Sequence, residues 1–211
     1  MTKAFKPVRI TKRTLIAASG ALAASRAFGQ ATPAPARPRV TLTTSLGLIT
    51  LELAADKAPI SSANFLRYAD HKRLDGTSFY RASKGGMDPP SGLIQGGPAN
   101  DPVRLYRPIA HESTTLTGLH HLDGTISLAR LEPGSATCDF FICVGAQPYL
   151  DADPSAPGDN LGFAAFGQVV DGMDVVRKIL LSPTSPTKGE GAMKGQMLEP
   201  SIPIISARRM A

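Results

Sequence analysis

The sequence predicts a mainly β fold, a closed antiparallel barrel with helices at its ends. Three observations point there. Short runs rich in Val, Ile, Thr, Leu and Phe recur between Arg39 and Arg209, separated by Gly, Pro, Asp and Ser, the punctuation of strands and turns. Only two segments carry helical spacing. They do not alternate regularly with the strand-like runs, which argues against a parallel sheet.

Taken in order, RVTLTTSLGLITLEL holds two alternating runs broken at Ser45 to Gly47, and period-two alternation across a turn predicts a hairpin. Pro59 then opens ISSANFLRYADHKRL, where Ile60, Phe65 and Tyr68 recur at helical spacing; proline is tolerated in a first helical turn. TSFYRA, GLIQGG, GTISLAR, DFFICVG and AAFGQVV follow as strands, MDVVRKILL as the second helix and IPIISARR as the closing strand. The stretches RASKGGMDPPSG, PANDPVRLYRPIAHESTTLTGLHHLDG and LDADPSAPGDNLG are expected to be loops, and loops on a rigid barrel commonly shape a binding site.

The chain of 211 residues has room for one sizeable domain. Its start differs in kind from the rest. Lys3, Lys6, Arg9, Lys12 and Arg13 precede an Ala-rich apolar run from Leu15 to Ala24, with small residues around Gly29 to Ala31. That is the layout of a secretory signal peptide, expected over residues 1–29 and cleaved after Gly29 or Ala31. The run is far shorter than the roughly twenty residues of a membrane span. The processed protein is therefore expected in the periplasm without stable membrane insertion, and as a monomer. Lys12-Arg13 and Arg26 leave the general and twin-arginine routes both open. Residues 30–38, rich in Pro and Ala, read as an extended linker, and residues 39–211 as the folded domain.

The net charge of +6 resides entirely in the leader, because residues 1–29 carry basic residues and no acidic ones. A neutral remainder has no basic patch of the kind nucleic acid requires, so no nucleic-acid partner is expected. Cys138 and Cys143 are the only cysteines. Their odd spacing in a strand points them to opposite faces, so they are expected to be unpaired packing residues.

The chain has no Gly-rich phosphate loop, HExxH, zinc-spaced cysteine pair or Gly-x-Ser-x-Gly elbow. His120-His121 lacks accompanying ligands at metal spacing and reads as a pair of surface loop histidines. No metal and no cofactor is expected. Ser127 and Ser135 show no identifiable His and Asp partners, which leaves hydrolysis without support.

An ordered series of segments does carry a signal: ADKAPISSANF, FYRA, LIQGG, GTISLAR, SATCDFFICV, PYLD and FAAFGQVVDGMDVV. Together they resemble the cyclophilin family from about Val40 to Ala207. The resemblance implies an eight-stranded antiparallel barrel capped by two helices, with a groove for proline-containing peptides and unfolded protein clients. The implied activity is peptidyl-prolyl cis/trans isomerisation; the alternative is a catalytically weak peptide-binding or chaperone-like module on the same fold.

By the same resemblance the catalytic arginine falls on Arg81, the groove glutamine on Gln95 and the proline-pocket phenylalanine on Phe141. Leu93, Ala129, Leu150 and Phe163 fall on further groove positions, and Tyr149 stands where the family often has Trp. Gln95 is expected to hold a peptide carbonyl or to position Arg81. Three departures stand out. The connection from Arg81 to Gln95 is long; Gly92 stands where the family has a wall phenylalanine, so one aromatic wall is missing unless the insertion replaces it with Met87; and Phe163 stands where many members have a groove histidine, with Asp139 and Arg130 bringing opposite charges near the site, able to pair.

Overall fold

The computed structural model describes residues 1, 2, 4 and 37–210, so nearly all of the expected leader and of the linker lies outside the described residues. Among the described residues nine strands form one sheet in the order β1-β2-β7-β5-β6-β4-β3-β9-β8, and β1 also pairs with β9. That last pairing closes β1 to β7 and β9 into an eight-stranded barrel. The two-residue β8 (Thr184–Ser185) is a side branch on β9. Closure leaves none of the eight strands with an open edge.

The strands form where alternation predicted them. β1 (Arg39–Thr44) and β2 (Gly47–Leu53) pair antiparallel and bury Val40, Leu42, Ile49, Leu51 and Leu53 on one face. Gly47 has φ +138, and a Cβ there would stand 2.7 Å from Val175 Cγ2, so this turn needs glycine. The later strands are β5 (Thr125–Leu128), β6 (Phe140–Val144), β7 (Ala164–Asp171) and β9 (Met197–Arg209).

β3 (Thr77–Met87) and β4 (Pro90–Gly97) correct one expectation. RASKGGMDPPSG is not a loop but the distal part of their hairpin, with Ala82 opposite Ile94, Ser83 opposite Leu93 and Lys84 opposite Gly92. Small Gly and Ser residues masked the strand pattern here, because the alternation signal is carried by bulky apolar side chains. Gly92 sits at φ +137, where a Cβ would run into the Ser83 carbonyl oxygen. The missing wall phenylalanine is thus a local backbone requirement.

Helix α1 (Pro59–Asp70) covers one end of the barrel. Its buried face is Ser61, Phe65 and Tyr68 with Leu66 and Ala69, whereas Ile60 is exposed. Both carboxylate oxygens of Glu112 accept the first free N–H groups, from Ile60 (3.0 Å) and Ser61 (2.8 Å), so a remote side chain caps a helix that has no side-chain N-cap of its own. A single helical turn, α2 (Thr114–Thr117), and helix α3 (Met173–Leu181) complete the helices among the described residues. The unpredicted α2 is too short to show a periodic pattern. α3 buries Val175, Val176, Ile179 and Leu180. No helix among the described residues is long and apolar enough to cross a membrane.

The barrel core is built around Phe65, Tyr68, Phe79, Phe140 and Phe166, all fully buried. Phe140 meets Phe65 and Phe79 edge to face at 5.4 and 5.6 Å. A second, smaller apolar cluster lies outside the barrel wall: Leu93, Phe141, Cys143 and Leu150, with Ala129 and Phe163 packed against it.

Candidate active site

The outer cluster results from strand parity. On β6, Phe140, Ile142 and Val144 face the core while Phe141 and Cys143 face outward. On β4, Ile94 faces in and Leu93 and Gln95 face out. On β3 simple alternation would put Arg81 on the same face as the buried Phe79. A bulge intervenes: the register shifts between Phe79 and Arg81, so Phe79 opposes Gly96 while Arg81 opposes Gln95. The extra residue, Tyr80, turns Arg81 outward, a re-aiming that bulges commonly provide.

The ladders then align one row across five strands. Met197, Arg81, Gln95, Phe141 and Ser127 stand opposite one another in sequence across β9, β3, β4, β6 and β5. All eight residues singled out from the sequence, namely Arg81, Gln95, Leu93, Ala129, Phe141, Tyr149, Leu150 and Phe163, line one groove of about 750 Å³. Tyr149 is 70% exposed, so it forms rim rather than wall. The groove also takes in Met193, Met197, Tyr80, Ala99 and Asn100. The two methionines stand on the Arg81 side, and sequence reading gave no sign of them.

A directed hydrogen-bond chain fixes the polar side. Arg81 Nε donates to Gln196 Oε1 and Nη1 to Gln95 Oε1, both at 2.8 Å. Gln95 Nε2 donates to the Tyr80 hydroxyl at 2.9 Å, which donates to Asp139 Oδ1 at 3.2 Å. The Ala99 N–H reaches the same oxygen at 2.8 Å. Gln95 therefore positions Arg81, and Gln196, absent from the sequence prediction, shares that task. Among the described residues two of the five guanidinium N–H donors are used, which leaves three for a ligand.

Burial lowers the Arg81 pKa, but a guanidinium stays charged at any ordinary pH. Burial beside Asp139 pushes the Tyr80 phenol well up, so it stays a donor. Burial also raises Asp139, against the pull of its hydrogen bonds from Ala99 and Tyr80.

One expectation about charge needs correction. Asp139 and Arg130 do not pair. Arg130 instead grips Asp159 through Nη1 and Nη2 at 2.8 and 2.9 Å and donates to the Gly162 carbonyl. That clamp holds Asp159 down to about 2. It also places the Arg130 guanidinium 5.3 Å over the Phe163 ring, tying the loop after Leu150 to the groove wall. A partner 29 residues away in a Gly/Pro-rich loop leaves no local sequence signal.

The histidines differ from their reading too. His120 is exposed, but His121 is fully buried. Its ring nitrogens lie 2.6 Å from Asp151 Oδ1 and 3.0 Å from Ser127 Oγ. Ser127 thus has the His and Asp partners that the sequence did not reveal. It is itself fully buried, so no substrate carbonyl reaches its hydroxyl and hydrolysis gains nothing. The described residues contain no group of three His, Cys, Asp or Glu able to hold a metal ion. Both cysteines are buried and free, Cys138 in the core and Cys143 in the outer cluster, on opposite faces as their spacing requires.

This fold and groove define a class. The family model for the cyclophilin type peptidyl-prolyl cis-trans isomerases matches residues 39–208, and the chain belongs to that family. A peptidyl-prolyl cis-trans isomerase of Acinetobacter baylyi is 36% identical over 178 residues, covering 82% of this chain and 85% of the relative. Peptidyl-prolyl cis-trans isomerase A of Dickeya dadantii is 38% identical over 174 residues, covering 81% and 85%. In the solved structures, a cyclophilin type isomerase of Cryptosporidium parvum crystallised in the presence of the dipeptide Ala-Pro superposes with a TM-score of 0.64 at 21% identity. It covers 82% of this chain and 99% of that one, which supports the fold. The chain is accordingly an isomerase that rotates Xaa-Pro bonds.

Proposed function

We propose that the chain accelerates Xaa-Pro rotation in proteins folding after export, as a periplasmic monomer, with Arg81 and Gln95 at the reacting amide. The outer cluster of Phe141, Leu93, Leu150 and Phe163 grips the proline ring, and Ala129 and Tyr149 border the peptide. The observation that carries this reading is the two-point fixation of Arg81 at 2.8 Å beside an apolar wall, with three donors to spare. The export context rests on the basic, then apolar, then small-residue layout of residues 1–29.

The chemistry follows from the bond. Amide conjugation opposes rotation with a barrier of about 18–20 kcal/mol. When the bond twists, conjugation is lost and the prolyl nitrogen regains a lone pair, which an N–H of Arg81 accompanies with a hydrogen bond available only in the twisted state. Binding stronger in the transition state than in the ground state is what speeds a step. A thousandfold acceleration needs about 4 kcal/mol of it, within reach of one charge-assisted bond plus shape selection in the groove. Gln95 and Gln196 hold the guanidinium in place beforehand, so no reorganisation is needed as the bond turns.

Two experiments test this. NMR exchange on a panel of Xaa-Pro peptides is expected to show catalysed rotation, and a folded chain that catalyses none would overturn the assignment. Fractionation of cells making the full chain is expected to place a shortened product in the periplasm; a full-length cytoplasmic product would remove the export context.

A further inference from the structure

We propose that His121, oriented by Asp151, is a positioning residue for the peptide groove: it fixes the angle of the Phe141 ring and the place of Leu150, and so sets how tightly proline-containing peptides bind. The inference rests on Phe141 and Leu150 being the proline-gripping wall.

Phe141 is held between two rings. Phe163 meets it edge-on, at 5.4 Å and 87°. The His121 imidazole stacks almost parallel to it, at 5.7 Å and 19°. A stacked ring controls its neighbour's angle only if it cannot turn itself, and this imidazole is pinned at both nitrogens. Asp151, kept ionised by its two histidine hydrogen bonds despite burial, only accepts. Nδ1–H must therefore donate to it at 2.6 Å, which leaves Nε2 to accept from the Ser127 hydroxyl at 3.0 Å.

The backbone around His121 is held as firmly. Its N–H donates to Asp151 Oδ1 at 3.0 Å, and its carbonyl accepts from the Gln147 N–H at 2.7 Å. Asp151 Oδ2 takes the Nδ1–H of His120 at 2.9 Å. Asp151 directly follows Leu150 at the end of the turn Pro148–Leu150. One carboxylate thus orients the imidazole behind Phe141 and hooks the turn that carries Leu150 onto the same loop. A buried position used only for filling would not need an imidazole tied to a half-buried carboxylate, since a polar group loses solvation on burial and an apolar side chain of similar size does not.

The test is the KM-against-kcat split for a tetrapeptide containing Ala-Pro, measured by NMR exchange on folded variants. Asp151→Ala frees the imidazole and is expected to raise KM about tenfold, roughly 1.4 kcal/mol, with kcat within about threefold of the parent. Asp151→Asn keeps an oxygen acceptor for Nδ1–H and is expected to stay within about threefold of the parent in both constants. His121→Phe keeps the stacked ring and loses its hydrogen bonds, and is expected to behave as Asp151→Ala; it carries the test if Asp151→Ala does not fold. A parent-like KM in the folded Ala and Phe variants overturns the inference, as does a fall in kcat matching the rise in KM, or an Asn variant as impaired as Ala. If Phe141→Ala leaves peptide binding unchanged, the groove assignment itself has failed. If Phe141→Ala weakens binding while the Asp151 and His121 variants do not, only the positioning role has failed.

Discussion

Phe140 and Phe141 are neighbours on one strand with the same side chain, yet they belong to different parts of the protein. Phe140 points into the barrel among Phe65 and Phe79 and is 0% exposed; Phe141 points out among Leu93, Cys143 and Leu150 and is 3% exposed. The inner face is sealed by closure of the sheet and by the helices at its ends. Among the described residues the outer face is covered by the loop carrying His121, the short turn carrying Leu150 and the segment carrying Phe163, and this partial cover leaves a groove. A closed barrel thus places stability on one side of its wall and frees the other for binding, with strand parity assigning each residue.

That contrast can be broken by exchanging the two effects. Phe140→Ala is expected to cost about 3–5 kcal/mol of stability in urea unfolding, while the folded fraction keeps parent kcat/KM. Phe141→Ala is expected to cost less stability and to lower kcat/KM at least tenfold. Two variants that behave alike would show that both faces serve as core.

Next in size is Gln196→Ala, which removes one of the two acceptors holding Arg81. A hydrogen bond to a charged group contributes about 1.5 kcal/mol or more, so kcat/KM is expected to fall about tenfold in the exchange assay, with a loss of stability in urea unfolding of about the same 1.5 kcal/mol. A parent-like rate would leave Gln95 as the sole support of the guanidinium.

A smaller effect concerns Asp139. Its folded pKa is raised by burial, so the folded state binds a proton more readily than the unfolded chain. The stability it contributes is present below the ordinary carboxylate pKa and lost as pH rises through the raised value. Asp139→Asn, which can still accept from Ala99 and Tyr80, is expected to raise Tm at neutral pH, the gain vanishing below about pH 4. A gain that instead grows on acidification contradicts this account.

Smallest is the response of the thiols, one on each side of the wall. Burial pushes Cys143 up to about 12 and Cys138 well above its ordinary value, and only thiolate reacts. Alkylating reagent at pH 8 is expected to label neither in the folded protein and both in denaturant.

Much of this was legible in the sequence because it depends on local pattern. Alternation in RVTLTT and GLITLEL gave the opening hairpin, and the ordered motifs placed eight groove residues that do converge. What escaped depends on long-range contact. Glu112 capping α1, Gln196 on Arg81 and Asp151 on His121 join residues far apart in the chain, and no spacing rule connects them. The bulge at Tyr80 was hidden as well, although strict alternation from Phe79 would have buried Arg81, and that conflict was the available clue. The distal β3–β4 hairpin read as loop because glycine and serine carry little periodic signal.

The most direct measurement compares isomerisation and ground-state binding in Arg81→Ala, using NMR exchange for the rate and titration for the Kd of the same Ala-Pro peptide. In this variant kcat/KM is expected to fall about a hundredfold to a thousandfold, as when a donor to a developing transition-state charge is removed, while Kd stays within about threefold. An unchanged rate, or a loss of rate matched by an equal loss of binding, would contradict the claim that Arg81 acts on the twisted amide rather than on the bound peptide.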